Sequence, residues 1–269
     1  MGRIVFFVAL LFVGFGCSSR KPVRFDIPVG ERVEGKALEQ LVSGVEARIR
    51  GVDSVRSLSR VRVQSSDASH SFRWAIVYES PERVRIETLP LNTFYSLQTL
   101  ASSDGEFAVV VPSERTFFSG KVTRRRIGEF LGVPFEIDES MALLLGGIPV
   151  SLLSASFSSG DLVGVVRSDD LIELVDKSQR FRARVGSKDF IIHELDLRDP
   201  FDDQILLELQ ADSVIEIAGF SYPGHLKLTL PKSSQTTEVW MSIKSLNTPV
   251  EEQIFSLTPP AGFAVRELP

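Results

Sequence analysis

Alternation of apolar and polar residues through the first half of the chain is the feature that most limits its fold. Phe72, Trp74, Ile76 and Tyr78 put apolar side chains at every second position, which is the period of a β-strand with one buried face. Turn-forming residues at 80–82, 102–105 and 112–113 separate this run from similar ones. The pattern predicts a meander of six short antiparallel strands over residues 57–119, of which the fourth runs over 94–100.

An amphipathic helix is predicted before this meander. Apolar residues recur at i, i+3, i+4, i+7 and i+11 from Leu38 to Ile49, with charged residues between them, and Gly51 marks the end. Such an apolar stripe buries one side of a helix against another element. We therefore expect this helix to pack on one face of the sheet.

A helical insert interrupts the strand pattern after residue 123. Helical spacing is present over 127–131, and a second short helix over 141–145 is expected to be capped by Asp138 or Ser140. After Pro149 the strand pattern returns, which predicts five or six further strands up to residue 246. The order predicts a mainly β, α+β fold: one curved antiparallel sheet of about eleven strands, forming an incomplete half-barrel with the helices as its lid.

The N-terminus has the layout of a secretory signal. Arg3 precedes an apolar run over 4–15, and Gly16 comes directly before Cys17, the only cysteine of the chain. The run is shorter than the roughly 20 residues that a membrane-spanning helix needs. A cysteine directly after a small residue is similar to a bacterial lipobox, although that pattern has Leu, Val or Ile at the position of Gly14.

This layout predicts a lipoprotein signal peptide over 1–16, a lipidated tether over 17–35 and a folded domain over 36–269. Cys17 would carry the lipid, because an exported chain with one cysteine cannot form an internal disulfide. Ser18 after the cysteine favours the outer membrane, with the domain facing the periplasm. The alternatives are an uncleaved anchor, or an ordinary signal peptide whose cysteine is incidental.

Composition and motifs give little support to an enzyme or to a nucleic-acid-binding protein. The net charge is −5, and no stripe rich in Lys and Arg is present. His70, His193 and His225 are far apart in the chain, and the sequence contains neither a G-x-S-x-G motif nor a phosphate-binding glycine loop. Paired carboxylates at 169–170 and 202–203 stand near turn signals, where solvated side chains are expected. We therefore predict no catalytic residue, no metal site and no cofactor.

A series of short motifs runs through the middle of the chain. In order they are Ser80-Pro81-Glu82-Arg83-Val84-Arg85-Ile86, Leu89-Pro90-Leu91, Asp104-Gly105, Gly120, Leu131-Gly132-Val133-Pro134 and Leu144-Leu145-Gly146-Gly147-Ile148-Pro149. The series resembles the LolA/LolB family of periplasmic lipoprotein carriers and receptors, most closely the LolB-type receptors of the outer membrane. The chain departs from the LolB pattern by its extended tether and its longer second half.

The resemblance implies a half-barrel whose hydrophobic cavity takes the acyl chains of lipoproteins, or phospholipid, under a lid of helices. Such a protein would be a monomer that receives lipoproteins from a LolA-like periplasmic carrier and places them in the outer membrane without covalent chemistry. The loop that would insert into the membrane is Leu89-Pro90-Leu91-Asn92-Thr93. The alternative for this loop is a turn whose leucines pack back on the core.

Apolar side chains of the predicted strands and helices could line the cavity that the resemblance implies. They are Phe72, Trp74, Ile76, Val84, Ile86, Leu97, Val109, Val111, Phe130, Leu131, Leu143 and Leu144. A filled core needs the same residues, whereas a ligand cavity would leave an apolar pocket on the order of several hundred Å³. Because one fold serves many functions, the alternative function is a non-enzymatic scaffold lipoprotein that binds a partner protein on the curved sheet.

Overall fold

The computed structural model describes residues 25–123, 135–199 and 204–267, in which sixteen strands form one sheet. The strands are β1 (Arg32–Val33), β2 (Ser54–Gln64), β3 (Ser69–Glu79), β4 (Arg83–Leu89), β5 (Gln98–Ser103), β6 (Glu106–Val111), β7 (Thr116–Lys121), β8 (Leu162–Ser168), β9 (Leu171–Asp176), β10 (Phe181–Gly186), β11 (Ile192–Arg198), β12 (Ile205–Ile217), β13 (Phe220–Leu230), β14 (Gln235–Trp240), β15 (Ile243–Leu246) and β16 (Ala264–Glu267). The α-helices of the described residues are α1 (Gly35–Arg50), α2 (Ile137–Leu144) and α3 (Val150–Ser158). Short 3₁₀ turns occur at Pro112–Glu114 and Glu252–Phe255.

Two antiparallel meanders make up the sheet. Strands β2 to β7 are neighbours in the order of the sequence, and so are β8 to β14. The meanders meet where β14 pairs with β2, with Val239 opposite Val61, and β15 pairs with the other end of β2. At the edges, β1 pairs antiparallel with β8 and β16 pairs parallel with β7, so the sheet is open and not closed into a barrel.

The first meander is present where the alternation of the sequence predicted it. The turn between β5 and β6 is Asp104-Gly105, with φ of 52° and 75°, as a two-residue type I′ hairpin turn requires. The predicted start of the fourth strand of the meander is wrong, because β5 begins at Gln98 and not at Phe94. The residues between β4 and β5 form a loop instead.

The prediction of about eleven strands is corrected to sixteen. Strands β1 and β16 have 2 and 4 residues, which is too short for an alternating pattern to be recognised. Strand β8 was not predicted because it begins with a nearly continuous apolar run and not with an alternation. Such runs are found in strands with little exposed surface. The segment predicted as one strand over 238–246 is divided between β14 and β15.

Helix α1 agrees with its prediction. Leu41, Val42 and Val45 are its buried residues, and Arg48 and Arg50 in the last turn face the negative end of the helix dipole. Gly51 follows directly as the residue that ends the helix. The apolar stripe therefore defined both the existence and the buried side of this helix.

The helical insert differs from its prediction in two respects. Helix α2 is capped by Glu136, whose backbone N–H donates to Glu139 Oε2 at 3.1 Å in a capping box, and neither Asp138 nor Ser140 is the cap. Residues 150–158, where strands were predicted to resume, form α3. Pro149 stands directly before α3, where proline is tolerated, and serines between its apolar residues leave no clear period. The helical spacing predicted over 127–131 lies outside the described residues.

One continuous core lies between the helices and one face of the sheet. It contains Val45 of α1, Leu143 of α2 and Leu153 of α3, together with inward side chains of both meanders such as Ile76 and Leu195. The core therefore joins the two meanders through their shared inner face, and the helices cover that face.

Candidate functional site

A pocket lies inside this core, between α2 and strands from both meanders. Its lining consists of Trp74, Val84, Ile86, Leu100 and Phe107 from β3 to β6, Leu228, Leu230, Gln235, Thr237 and Val239 from β13 and β14, and Ile137, Ser140, Met141, Leu143 and Leu144 from α2. In a flat sheet, β6 and β13 would be six strand spacings apart, or about 29 Å. Because both strands line one pocket with a helix of only 8 residues, the sheet bends around α2.

The pocket is a narrow slit. Free space between its lining atoms amounts to about 830 Å³, including the part that opens to solvent, but the centre of a water-sized sphere can occupy only about 60 Å³ of it. The smaller value is the one that compares with cavity volumes, and it lies well below the range of about 300–1,000 Å³ that is typical of small-molecule sites. The smaller value shows that the walls are close together, so a ligand of any width needs them to move apart.

Helix α2 turns one stripe towards the slit. Ile137, Ser140, Met141 and Leu144 follow the helical spacing i, i+3, i+4 and i+7, and all of them line the pocket. Ser140 is the polar member of this stripe, and its buried Oγ has no hydrogen-bond partner among the described residues. Because a buried hydroxyl without a partner is unfavourable, this oxygen is suited to a hydrogen bond with a polar group of a ligand.

The C-terminal end of α2 is tied to its surroundings by Arg48. The Nη2 of this residue donates to the carbonyl oxygens of Leu145 at 2.6 Å and of Ser221 at 2.5 Å, and its guanidinium lies 4.7 Å from the ring centre of Phe220. Burial lowers the pKa of Arg48 to about 10, so the side chain stays charged at neutral pH. One arginine thus joins α1, the end of α2 and the start of β13.

The N-terminal end of α2 carries acidic side chains. Burial raises the pKa of Asp138, and the nearby charges of Glu139 and Glu136 raise it further. Burial also raises the pKa of Tyr78. Protonation of Asp138, in the first turn of α2, therefore favours the folded state.

Five of the predicted cavity residues line the slit: Trp74, Val84, Ile86, Leu143 and Leu144. The structure places the other described ones elsewhere. Ile76 and Val109 are buried in the filled core, and Phe72 and Val111 pack against it. Leu97 is half-buried at the end of the loop before β5. Phe130 and Leu131 lie outside the described residues.

The sequence prediction missed the wall formed by the second meander. Leu228 and Leu230 alternate with polar residues in a predicted strand, but only the long-range pairing of β14 with β2 brings that strand to the slit. Ile137 and Met141 were recognisable from their spacing to Leu144. Nothing in the local pattern distinguishes Gln235 or Thr237 from other polar strand residues.

The loop predicted to insert into the membrane is exposed, but its most exposed apolar residues are not the predicted ones. Leu89 is the last residue of β4 and is buried, whereas Leu91 is 40% exposed and Pro90 and Asn92 lie in the loop. Phe94 and Tyr95, which were predicted to begin a strand, are 80% and 85% exposed. Two adjacent exposed aromatic side chains make this loop a candidate contact surface.

Arg73 holds this loop in place. Its Nη2 donates to the carbonyl oxygens of Thr93 at 2.7 Å and Pro90 at 3.1 Å, and its Nε donates to Pro90 at 3.3 Å. The guanidinium carbon lies 4.7 Å from the ring centre of Phe94. The loop therefore presents Phe94 and Tyr95 from a fixed base on β3.

The C-terminal part of the predicted tether packs on the sheet. Phe25 is buried between the guanidinium groups of Arg182 and Arg198, and its carbonyl oxygen accepts a hydrogen bond from Gln179 Nε2 at 3.1 Å. Arg32 follows in β1. The predicted lipidation site, Cys17, lies outside the described residues.

Within the described ranges, no helix is both long and apolar enough to cross a membrane. The same residues contain no group of three or more His, Cys, Asp or Glu side chains that could hold a metal ion. The predictions that the protein is not an enzyme and uses no cofactor stay predictions.

Comparison with known proteins gives matches among solved structures. No protein-family model and no curated protein matches the sequence. The crystal structure of a DUF1329 family protein from Desulfovibrio piger covers 82% of this chain and 96% of its own length, with a TM-score of 0.57 and 11% identity. A protein domain from Vibrio parahaemolyticus named for outer-membrane lipoprotein sorting covers 81% of this chain and 95% of its own, with a TM-score of 0.55 and 11% identity.

A LolA superfamily protein from Nitrosomonas europaea shares the fold as well. It covers 82% of this chain and 97% of its own length, with a TM-score of 0.50 and 14% identity. At these identities the likeness concerns the fold alone. The chain thus has a mostly β, open-sheet fold that it shares with a LolA superfamily protein, and the fold expected from the resemblance is confirmed in this coarse form.

Proposed function

We propose that this chain is a LolB-type lipoprotein of the outer membrane that binds acyl chains of lipoproteins, or of other lipids, and helps to insert them into that membrane. The observation that carries the proposal is the slit between α2 and the bent sheet, whose lining is apolar except for Ser140, Gln235 and Thr237. In this proposal the sheet acts as a half-barrel and α2 as its lid. The fold shared with a LolA superfamily protein supports it.

The slit provides the driving force for binding. Each methylene group that leaves water for an apolar site contributes about 0.8 kcal/mol, so even part of an acyl chain gains several kcal/mol. Because the slit is narrow, the walls must separate as the chain enters. Met141 and Leu144 of α2 are suited to this, since methionine adapts to irregular space and Leu144 is only half-buried.

The proposed location is the periplasmic side of the outer membrane, with Cys17 as the lipidated residue. Phe25 is docked on the sheet, and seven residues lie between it and Cys17, which allows a span of at most about 28 Å when the segment is extended. The domain would therefore stay close to its membrane. In this proposal it is a monomer that takes its cargo from a LolA-like carrier, and transfer involves no covalent chemistry.

The loop between β4 and β5 is the proposed point of membrane contact. Phe94 and Tyr95 are its most exposed apolar residues, and Leu91 stands beside them. Aromatic side chains are favoured at the interface between membrane and water. Leu89 takes no part, because it is buried at the end of β4.

Uptake of a fluorescent fatty-acyl probe by the full chain tests the pocket. Leu228→Trp should obstruct the slit, because Leu228 lines it and is only half-buried. Leu206→Trp is the matched control, since Leu206 is a half-buried leucine of β12 that packs on the core outside the slit. We expect uptake by the wild type and the control, and at least a tenfold weaker affinity for Leu228→Trp at similar thermal stability.

The outcome separates the two functions that the sequence left open. Absence of probe uptake by the folded wild-type protein would contradict lipid binding and favour the scaffold lipoprotein. Equal uptake by both tryptophan variants would show that the probe binds elsewhere than under α2.

A further inference from the structure

The outer face of the sheet, opposite the slit, carries a cluster of arginine and aromatic side chains. Val239 and Trp74 line the slit, so their chain neighbours Trp240 and Arg73 lie on the other face. Register pairing puts Trp240 opposite Arg60, and Arg60 opposite Arg73. We define the arginine–aromatic patch as Arg60, Arg62, Arg73, Trp240, Phe94 and Tyr95.

The patch has positive charge that no carboxylate of the described residues neutralises. Arg60 and Arg73 are directly opposite each other on β2 and β3, an arrangement of like charges that destabilises a sheet. Neither has a carboxylate partner among the described residues. Instead, Arg73 donates to neutral carbonyl groups, and the guanidinium of Arg60 lies 5.5 Å from the ring centre of Trp240. Arg62 is paired, at 3.5 Å from Glu238.

Arg60 and Arg73 thus place two positive charges without a carboxylate partner in the described part of a chain whose net charge is −5. The acidic groups around the patch are paired with other side chains. On one side Asp212 contacts His225 at 3.1 Å, where His225 stacks on Trp240, and on β4 Glu87, opposite Ala75, lies 2.6 Å from Arg85. On the other side, Arg73 leads directly into the exposed loop with Phe94 and Tyr95. The positive groups and the exposed aromatic groups thus form one continuous surface.

We propose that the arginine–aromatic patch binds the headgroups of anionic phospholipids when the loop contacts the membrane, which gives the contact a preference for acidic lipids. The inference rests on the proposed membrane contact of the loop. Charge complementarity and aromatic composition support this occupant, since Tyr and Trp favour the interface and each cationic residue near an anionic bilayer adds favourable energy. Nucleic acid is a poor occupant, because two free arginines neutralise too few phosphates.

The two tryptophans of the chain allow a direct measurement. Trp74→Phe removes the one in the slit and leaves Trp240 as the reporter of the patch. The full chain is reconstituted into vesicles of phosphatidylcholine alone, or of three parts phosphatidylcholine and one part phosphatidylglycerol. A lipid with a spin label on its headgroup quenches Trp240 when the patch is docked.

We expect stronger quenching in the vesicles with phosphatidylglycerol, and loss of the difference at high salt, where exposed charges are screened. Arg60→Gln in the same background should lower the ratio of docked to undocked protein about fivefold in those vesicles, the effect of about one cationic residue. Arg184→Gln on β10 is the control for net charge, because it removes one positive charge from another part of the sheet, where Arg184 pairs with Glu194 at 2.9 Å. Arg60→Gln should also fold as well as the wild type, since it removes a like-charge pair.

The outcomes distinguish this proposal from the one on which it rests. Replacement of Phe94 and Tyr95 by serine should reduce quenching in both kinds of vesicle if the loop contacts the membrane at all. Quenching that depends on these aromatics but not on phosphatidylglycerol or Arg60 would overturn the headgroup proposal and leave the loop contact standing. Equal effects of Arg60→Gln and Arg184→Gln would show that the preference for phosphatidylglycerol follows from the net charge of the protein. This result would overturn the proposal that the patch causes the preference. Quenching that is unaffected by the loop replacement would overturn the proposed membrane contact itself.

Discussion

The two halves of the core are built from the same alternating pattern but are filled differently. Under β9 to β12 most inward side chains are fully buried, and Leu174, Phe181, Leu195 and Leu207 have no exposed surface. Under α2, by contrast, some of the inward side chains, such as Leu228 and Leu230, are only half-buried beside a slit. Alternation in sequence therefore determines which side chains face inward, whereas the position of a helix relative to the bent sheet determines whether they meet.

The largest effect is expected in the filled half. Phe181→Ala removes a ring that has no exposed surface and should lower the free energy of unfolding by about 3–5 kcal/mol. Acyl-probe uptake per folded molecule should be unchanged, because Phe181 does not line the slit. Denaturant titration measures the loss, and a value near zero would show that this half is not tightly filled.

The opposite sign is expected for a polar residue of the slit. Ser140 Oγ is buried without a partner among the described residues, so Ser140→Ala should raise the free energy of unfolding of the ligand-free protein by about 1–2 kcal/mol. The same change should weaken binding of a fatty acid more than binding of a hydrocarbon probe of equal length. Equal weakening of both would show that the hydroxyl does not contact the ligand.

How far the sequence predicts this structure depends on the range of the interactions involved. Helix α1 and the meander of β2 to β7 follow from local periodicity, as Leu41 and Ile76 show by their burial. The far wall of the slit depends on the pairing of Val239 with Val61, which are about two thirds of the chain length apart. Local pattern carries no information on such a pairing, and for the same reason it could not distinguish a filled core from a slit.

Two local predictions were wrong because the pattern was ambiguous. Phe94 and Tyr95 are aromatic residues of the kind favoured in strands, yet they belong to a loop and are exposed. Residues 150–158 alternate irregularly between apolar residues and serines, and they form α3. In both cases the contacts of the segment with the rest of the protein outweighed the propensity of its residues.

A smaller loss is expected for a leucine of the slit wall. Leu228→Ala should lower the free energy of unfolding by about 1 kcal/mol, because the side chain is only half-buried and the space beside it is already free. The wider slit should accept a bulkier acyl probe at least as well as the wild type does. A loss as large as that of Phe181→Ala would remove the distinction between the two halves.

The smallest effect is expected from the charge at the start of α2. Burial raises the pKa of Asp138 above its ordinary value of 3.8, so the folded protein binds this proton more tightly than the unfolded chain does. Burial of the charged carboxylate therefore lowers the free energy of unfolding at neutral pH. This loss decreases as the pH falls through the raised pKa, and it is absent below about the ordinary value. Asp138→Asn is uncharged at every pH, so it should be slightly more stable than the wild type at pH 7 and equal to it in acid.

Hydrogen exchange of the α2 amides, compared with those of β10 and β11, can assign that difference to one half of the core. We expect Asp138→Asn to slow exchange in α2 at pH 7 and to leave β10 and β11 unchanged, because the carboxyl group lies at the lid of the slit. The attraction of a carboxylate to a helix N-terminus acts in the opposite direction. If that attraction outweighed burial, the variant would exchange faster in α2 at pH 7, and the lid would be held by its charge instead of being loosened by it.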